Sequence, residues 1–307
     1  GVPEGVTHGT GPARPRAAGG RGRPGRHDGD MRFGLDIAQQ RMPFAGVVER
    51  ARFADGAGFD GIWGFDHFQP MYGEGPGECF EGHTTLAALS GHTTRTRLGL
   101  LVAGVTYRHP SVLAAEAMTI DHASGGRLEL SLGAAWFEPE HRALGIPFPG
   151  TATRIELLDE ALTIVRGLLT TDGFSFEGRH WQVQDATLHP RPVQSPHPPI
   201  WIGASGERKM LPLVARHADV WHTFGDQATY ARKSALLDDL AVAAGRDPSS
   251  IARAASLSLS EPWDQVRATV DSLRDLGVSY LICGWPSEGR ARLDEFVGQV
   301  LPSLPAD

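Results

Sequence analysis

A (β/α)8 barrel is the fold class this sequence predicts, and three observations predict it. Short apolar runs alternate with amphipathic segments from Met31 to near the C-terminus, the pattern of strands followed by crossover helices. About eight such units can be traced, the number that closes a parallel barrel. The chain has 307 residues, a size one such barrel fills as a single unit. A doubly wound sheet is the alternative, but no Gly-x-Gly-x-x-Gly follows the first run.

The elements follow in order. Residues 32–37 read as the first strand, and 44–57 as a helix with Val47, Val48, Ala51 and Ala54 on one side. The apolar run Ile62, Trp63 and Phe65 is the second strand; a Gly/Pro-rich loop and a helix near 84–92 follow. Residues 97–105 form the third strand. Pro110 then opens a helix through 122, at a first-turn position where its missing amide does no harm. The fourth strand is 127–132, followed by a short excursion and a long helix over 154–169. Residues 171–198 break the rhythm with a hairpin-like piece (Phe174, Phe176, Trp181, Val183) and a proline-studded arm, an insertion after the fourth β/α unit. Strands at 199–203, 219–222, 251–259 and 278–283 alternate with helices at 210–216, 227–244, 262–276 and 291–301.

Composition excludes several classes. With 41% hydrophobic and 21% charged residues, the chain can bury a large core. A net charge of -7 argues against nonspecific nucleic-acid binding. Cys79 and Cys283 lie far apart without metal-type spacing, which suggests a reduced, cytoplasmic compartment rather than a disulfide framework. No apolar run approaches the roughly 20 residues that span a bilayer. Residues 1–30 are rich in Gly, Pro and Arg and are expected to be a disordered basic leader, or translated sequence upstream of a start at Met31. They lack the apolar core of a secretory signal. The domain proper is taken as 31–307.

Candidate site residues sit where strands end, since the C-terminal mouth of such a barrel carries the chemistry. The second strand stops in Asp66-His67, a carboxylate beside an imidazole; Asp66 either takes part in chemistry or caps a loop and holds His67. The third ends LGLLVAGVTYRHP, with Gly104 allowing close approach and His109-Pro110 extending the chain before a helix. The fourth ends in Gly133, Ala134 and Ala135, a low-profile floor with space for a planar group, and then Trp136. The fifth ends GASGE, where Gly203, Ala204, Ser205 and Gly206 can form an anion nest before a helix. Glu207 in the last place excludes a Gly-x-Ser-x-Gly elbow. No metal constellation is visible.

Read together, GFDHFQP, LGLLVAGVTYRHPSVLAAEAMTIDHASGGRLELSLGAAWFEPEHRALGIPFP, HPRPVQSPHPPIWIGASGE and ADVWHTF resemble the luciferase-like monooxygenase superfamily. The resemblance is closer to its coenzyme F420-dependent oxidoreductases. It runs from about Met31 to about Asp226, and more loosely through DLGVSYLICG.

The resemblance implies a barrel with an insertion, binding a deazaflavin ring at its mouth. Asp66 and His67 match the family's Asp-His, the His over the reactive face and the Asp holding ring and partner. Leu101-Val102 falls where members carry a non-prolyl cis peptide behind the ring. Gly104 and Thr106 would border the ring and its tail, and Gly203 to Gly206 the phosphate. Trp136 stands where sugar-phosphate dehydrogenases of the family carry an acid, and Glu138 lies two residues too late to replace it. That disfavours a sugar phosphate. The implied activity is hydride transfer between F420 and a small organic molecule, with His67 moving the proton and Asp66 fixing its tautomer. An FMN-dependent monooxygenase using O2 and a noncatalytic flavin carrier are the alternatives. A homodimer is expected, as is common in the superfamily.

Overall fold

The strands that follow one another in sequence close on themselves in space. A computed structural model describes residues 31–304; the expected leader lies outside the described residues. Eight strands form the barrel: β1 (Arg32–Asp36), β2 (Gly61–Gly64), β3 (Arg97–Leu100), β4 (Leu128–Leu132), β7 (Ile200–Gly203), β8 (Val220–Thr223), β9 (Ala252–Leu257) and β10 (Val278–Gly284). They run in the order β1-β10-β9-β8-β7-β4-β3-β2, every neighbour parallel. Two further strands, β5 (Phe174–Glu177) and β6 (Gln182–Ala186), pair only with each other as an antiparallel hairpin.

Helices wrap the outside: α1 (Phe44–Ala57), α2 (Gly82–Ser90), α3 (Pro110–Ser124), α4 (Glu138–Leu144), α5 (Thr151–Thr170), α6 (Met210–His217), α7 (Gln227–Ala243), α8 (Trp263–Asp275) and α9 (Arg290–Glu295). None of the described helices is long and apolar enough to cross a membrane.

The barrel interior is filled, not hollow. Trp63, Trp201, Val220, Ala254, Tyr280 and Ile282 form one buried cluster, each large side chain contributing roughly 1.5–3 kcal/mol on burial. Two glycines make room: a Cβ on Gly34 or on Gly99 would lie 2.5 Å from the Trp63 ring. The polar atoms of this plug are paired. Trp201 Nε1 donates to Glu129 at 2.6 Å, Glu129 pairs with Arg97, and Trp63 Nε1 donates to the Tyr280 hydroxyl at 3.2 Å. A solid floor leaves the C-terminal strand ends as the place for a site.

Two departures from the sequence reading matter there. The third strand stops at Leu100, not at 105. Leu101 still donates to the Gly64 carbonyl at 2.8 Å, but the Leu101–Val102 peptide is cis, and the Gly104 amide turns to the Asp66 carboxylate at 2.9 Å. The excursion after β4 contains a helix, α4. It has Pro139 in its first turn, Glu138 and Glu140 at its positive end, and Gly145 at φ 70° closing it.

Candidate functional site at the barrel mouth

The segments following β2, β3, β4, β7 and β8 converge on one cavity of about 500 Å³, within the range of small-molecule sites. Of the residues singled out from sequence, Asp66, His67, Leu101, Val102, Gly104, Gly133, Ala134, Ala135, Trp136, Gly203, Ala204, Ser205 and Gly206 all line it. Thr106 does not. Its hydroxyl bonds His141 Nε2 at 2.6 Å, while His141 Nδ1 donates to the Phe137 carbonyl at 2.9 Å, so Thr106 fastens α4 instead of bordering a ligand.

Asp66 does not hold His67. Its carboxylate takes a two-pronged contact from Arg108, at 2.7 and 3.0 Å, together with the Gly104 amide. Arg108 also pairs with Glu81 and with Glu116. Burial alone would lower the Arg108 pKa, but the charges of Asp66, Glu81 and Glu116 outweigh it and push it above its ordinary value. For Glu81, burial would raise the carboxyl; hydrogen bonds from His83 and Thr84 and the Arg108 charge hold it far below the usual range. Donor atoms of Asp66, Glu81 and His83 lie within 4.8 Å of one another. Arg108 already supplies the positive charge this group needs, so the set does not fit a resident metal.

His67 is held by a residue the sequence reading passed over. Its Nδ1 lies 3.1 Å from Glu140 Oε1, and Glu140 also receives the Tyr107 hydroxyl at 2.6 Å and the amides of Phe68 and Gln69 at 2.7 Å each. Burial would raise the Glu140 carboxyl, but these four hydrogen bonds bring it below its ordinary value. An ionised carboxylate only accepts. His67 Nδ1 therefore carries the proton, and Nε2, with no partner among the described residues, is the nitrogen free to act. Rings of Phe137 at 5.6 Å and Trp136 at 5.8 Å stand edge-on to the imidazole. Glu138, weighed in sequence as a substitute acid, pairs instead with Arg142 on the surface.

The small-residue floor has a cause other than an empty platform. A Cβ on Gly133 would meet Val102 Cγ2 at 2.5 Å, and one on Gly203 would meet the same side chain at 3.1 Å. Val102 occupies the space these glycines leave. Gly104 likewise makes room for the Tyr107 ring, 2.6 Å from its would-be Cβ. Ala135 sits at φ 56°, a left-handed conformation uncommon for a residue with a side chain. Arg154, not singled out from sequence, fixes this wall by donating to the carbonyls of Ala134 at 3.0 Å and Pro149 at 2.6 Å.

The anion nest is smaller than expected. The Ala204 amide is spent on the His222 carbonyl at 3.0 Å, and α6 begins only at Met210, whose amide bonds Gly206 O at 3.1 Å. The amides of Ser205 and Gly206 have no partner among the described residues, and both residues are exposed at the cavity. These two donors remain for an anion.

The mouth of this parallel barrel thus joins a buried His–Glu pair, an Asp–Arg pair and two free amides around one cavity of a size that suits a small molecule. Residues 24–279 match the model of the luciferase-like monooxygenase family, and the chain belongs to that family. It is 31% identical over 254 residues to the F420-dependent glucose-6-phosphate dehydrogenase of Microbacterium testaceum, covering 81% of this chain and 68% of that protein. It is 34% identical over 131 residues to the FMNH(2)-dependent dimethylsulfone monooxygenase of Pseudomonas putida, covering 43% and 35% respectively. Among solved structures, an F420-dependent secondary alcohol dehydrogenase in complex with an F420-acetone adduct superposes with TM-score 0.81 at 16% identity, covering 90% of this chain and 99% of that one. At that identity the superposition speaks for the fold.

Proposed function

We propose that this protein is a coenzyme F420-dependent oxidoreductase that transfers a hydride between the deazaflavin and a small organic substrate. The observation that carries it is the fixed imidazole: Glu140 locks His67 through Nδ1, leaving Nε2 at a cavity that also presents the Ser205 and Gly206 amides. The residues fit the group. Two unpaired amides offer donors to a phosphate, and Val102, seated against Gly133 and Gly203, offers an apolar backing to a flat ring. Coenzyme F420, when bound, supplies two-electron hydride chemistry at C5 of its ring. His67 Nε2 gives or takes the compensating proton, and Asp66, held by Arg108, fixes the Gly104 amide on the same rim. Trp136 and Phe137 shield the imidazole edge from water.

The relative from Microbacterium, named for F420, supports this cofactor; the one from Pseudomonas, named for FMNH(2), favours FMN as the second reading. Titration of the purified protein with F420 and with FMN separately, read by fluorescence quenching, tests the choice. Saturable quenching by F420 with little response to FMN is expected. The reverse preference would replace the proposal with the FMN reading.

A further inference from the structure

We propose that the substrate is an uncharged molecule with an apolar chain, whose reacting end lies beside His67 and whose tail passes Phe224 into a second cavity. This rests on the reading of the main cavity as a hydride-transfer site, and it is carried by what surrounds that cavity.

Among the described residues, Tyr72, Trp136 and Phe224 are the exposed large aromatics, 60%, 66% and 69% accessible, and all three border this one mouth. The other exposed large apolar residues, such as Val112 and Val242, border neither cavity. Rings left in water around one opening are a surface for apolar ligand, not scatter. Charge points the same way. Arg154 is the one Lys or Arg among the lining residues, and its guanidinium is committed to the carbonyls of Ala134 and Pro149. His222, on the same wall, bonds the Ser256 hydroxyl at 3.1 Å, and burial lowers it to about 4, so it is neutral. A second anionic group, beyond one at Ser205 and Gly206, finds no free cation among the lining residues, and the one lining carboxylate, Asp66, is taken by Arg108.

Phe224 and Thr223 line a second cavity as well, of about 610 Å³. Its walls include Ala228 and Tyr230 of α7, Ala255 of β9, and Thr269 and Leu273 of α8. The carboxylate at its edge, Asp226, is already used to cap α7 through the Thr229 amide at 2.7 Å. Of the two residues the cavities share, Phe224 is thus an exposed, apolar ring, and the second cavity is lined largely by carbon.

Calorimetric titration of the full chain with 2-alkanones of increasing length tests this without depending on turnover. Affinity should rise about threefold to fourfold per added methylene, the value of burying one CH2, and level off when the tail fills the second cavity. Ala228→Trp, at an exposed position in the first turn of α7, should move the levelling point to shorter chains. Gln227→Trp beside it is the second variant should the first misfold, as judged by circular dichroism. Affinity that ignores chain length, a levelling point that neither variant moves, or tighter binding of glucose 6-phosphate than of the ketones overturns the proposal. F420 quenching is measured separately, so a wrong cofactor would show there and a wrong substrate class here.

Discussion

His67 and Glu140 lie far apart in sequence, yet Nδ1 of one sits 3.1 Å from Oε1 of the other, in a pair that is almost wholly covered. The same carboxylate receives the amides of Phe68 and Gln69. Glu140 therefore sets both the tautomer of the imidazole and the path of the backbone that carries it.

Replacing Glu140 should cost stability and function together. Glu140→Ala leaves the amides of Phe68 and Gln69 without their acceptor, at about 1–3 kcal/mol for each buried donor so stranded. Urea unfolding of the variant should show a loss of that order. A loss below about 0.5 kcal/mol would mean that water replaces the carboxylate and that α4 does not brace the site.

His67→Ala separates a proton-moving role from a packing role. The account expects turnover to fall roughly 10²–10⁴-fold while F420 affinity, read by quenching, changes less than about tenfold. Weakened F420 binding with turnover preserved at saturation would make His67 a packing residue only.

Two carboxylates should give opposite pH signatures. For Asp55, burial would raise the carboxyl, but hydrogen bonds from Thr96, Thr94 and Arg95 outweigh it and hold it at about 2. Its contribution is present above the unfolded value of about 3.9 and disappears as pH falls through about 2. Asp55→Asn should thus lower the melting temperature at pH 7, the gap to wild type narrowing steadily below pH 4. Asp36, at the C-terminal end of β1, is lifted to about 6 by burial, against the Ala38 amide and the Arg50 charge. The folded state then binds the extra proton, so wild-type stability falls as pH rises from about 4 to 6. Asp36→Asn should melt higher than wild type above pH 6 and alike below pH 4. Parallel melting curves for either variant across pH would contradict its assignment.

The Val102 seat can be tested by exchange of volume. Gly133→Ala places a methyl 2.5 Å from Val102 Cγ2, an overpacking expected to cost about 1–3 kcal/mol and to weaken cofactor binding. Adding Val102→Ala should restore most of both. A double variant no better than the single one would show that Gly133 is small for another reason.

Much of this was legible in the sequence because strands of a parallel barrel are apolar runs whose ends are marked by a change of residue type. Asp66-His67, Gly133 to Trp136 and Gly203 to Gly206 each follow such a run directly, and all reach the cavity. Glu140 was not legible for a local reason. It lies on a helix of seven residues, too short for periodicity to declare, and the acid sought in that region was one at the place Trp136 occupies. The run Glu138-Pro139-Glu140-His141 was the available signal: proline in a first turn with acids beside it starts a helix. Arg108 stood in view within YRHP, but Asp66 and Glu81, two of its three carboxylate partners, come from distant segments. The reason for Gly133 was also out of reach, since only the folded chain shows Val102 resting on it.

The most direct test of the central claim is a structure of the protein soaked with oxidised F420. The account predicts the deazaflavin ring in the main cavity, backed by Val102, its phosphate on the amides of Ser205 and Gly206, and His67 Nε2 facing the ring or the substrate space above it. A ring bound outside that cavity, or one that leaves His67 Nε2 turned away from the ligand, would contradict it.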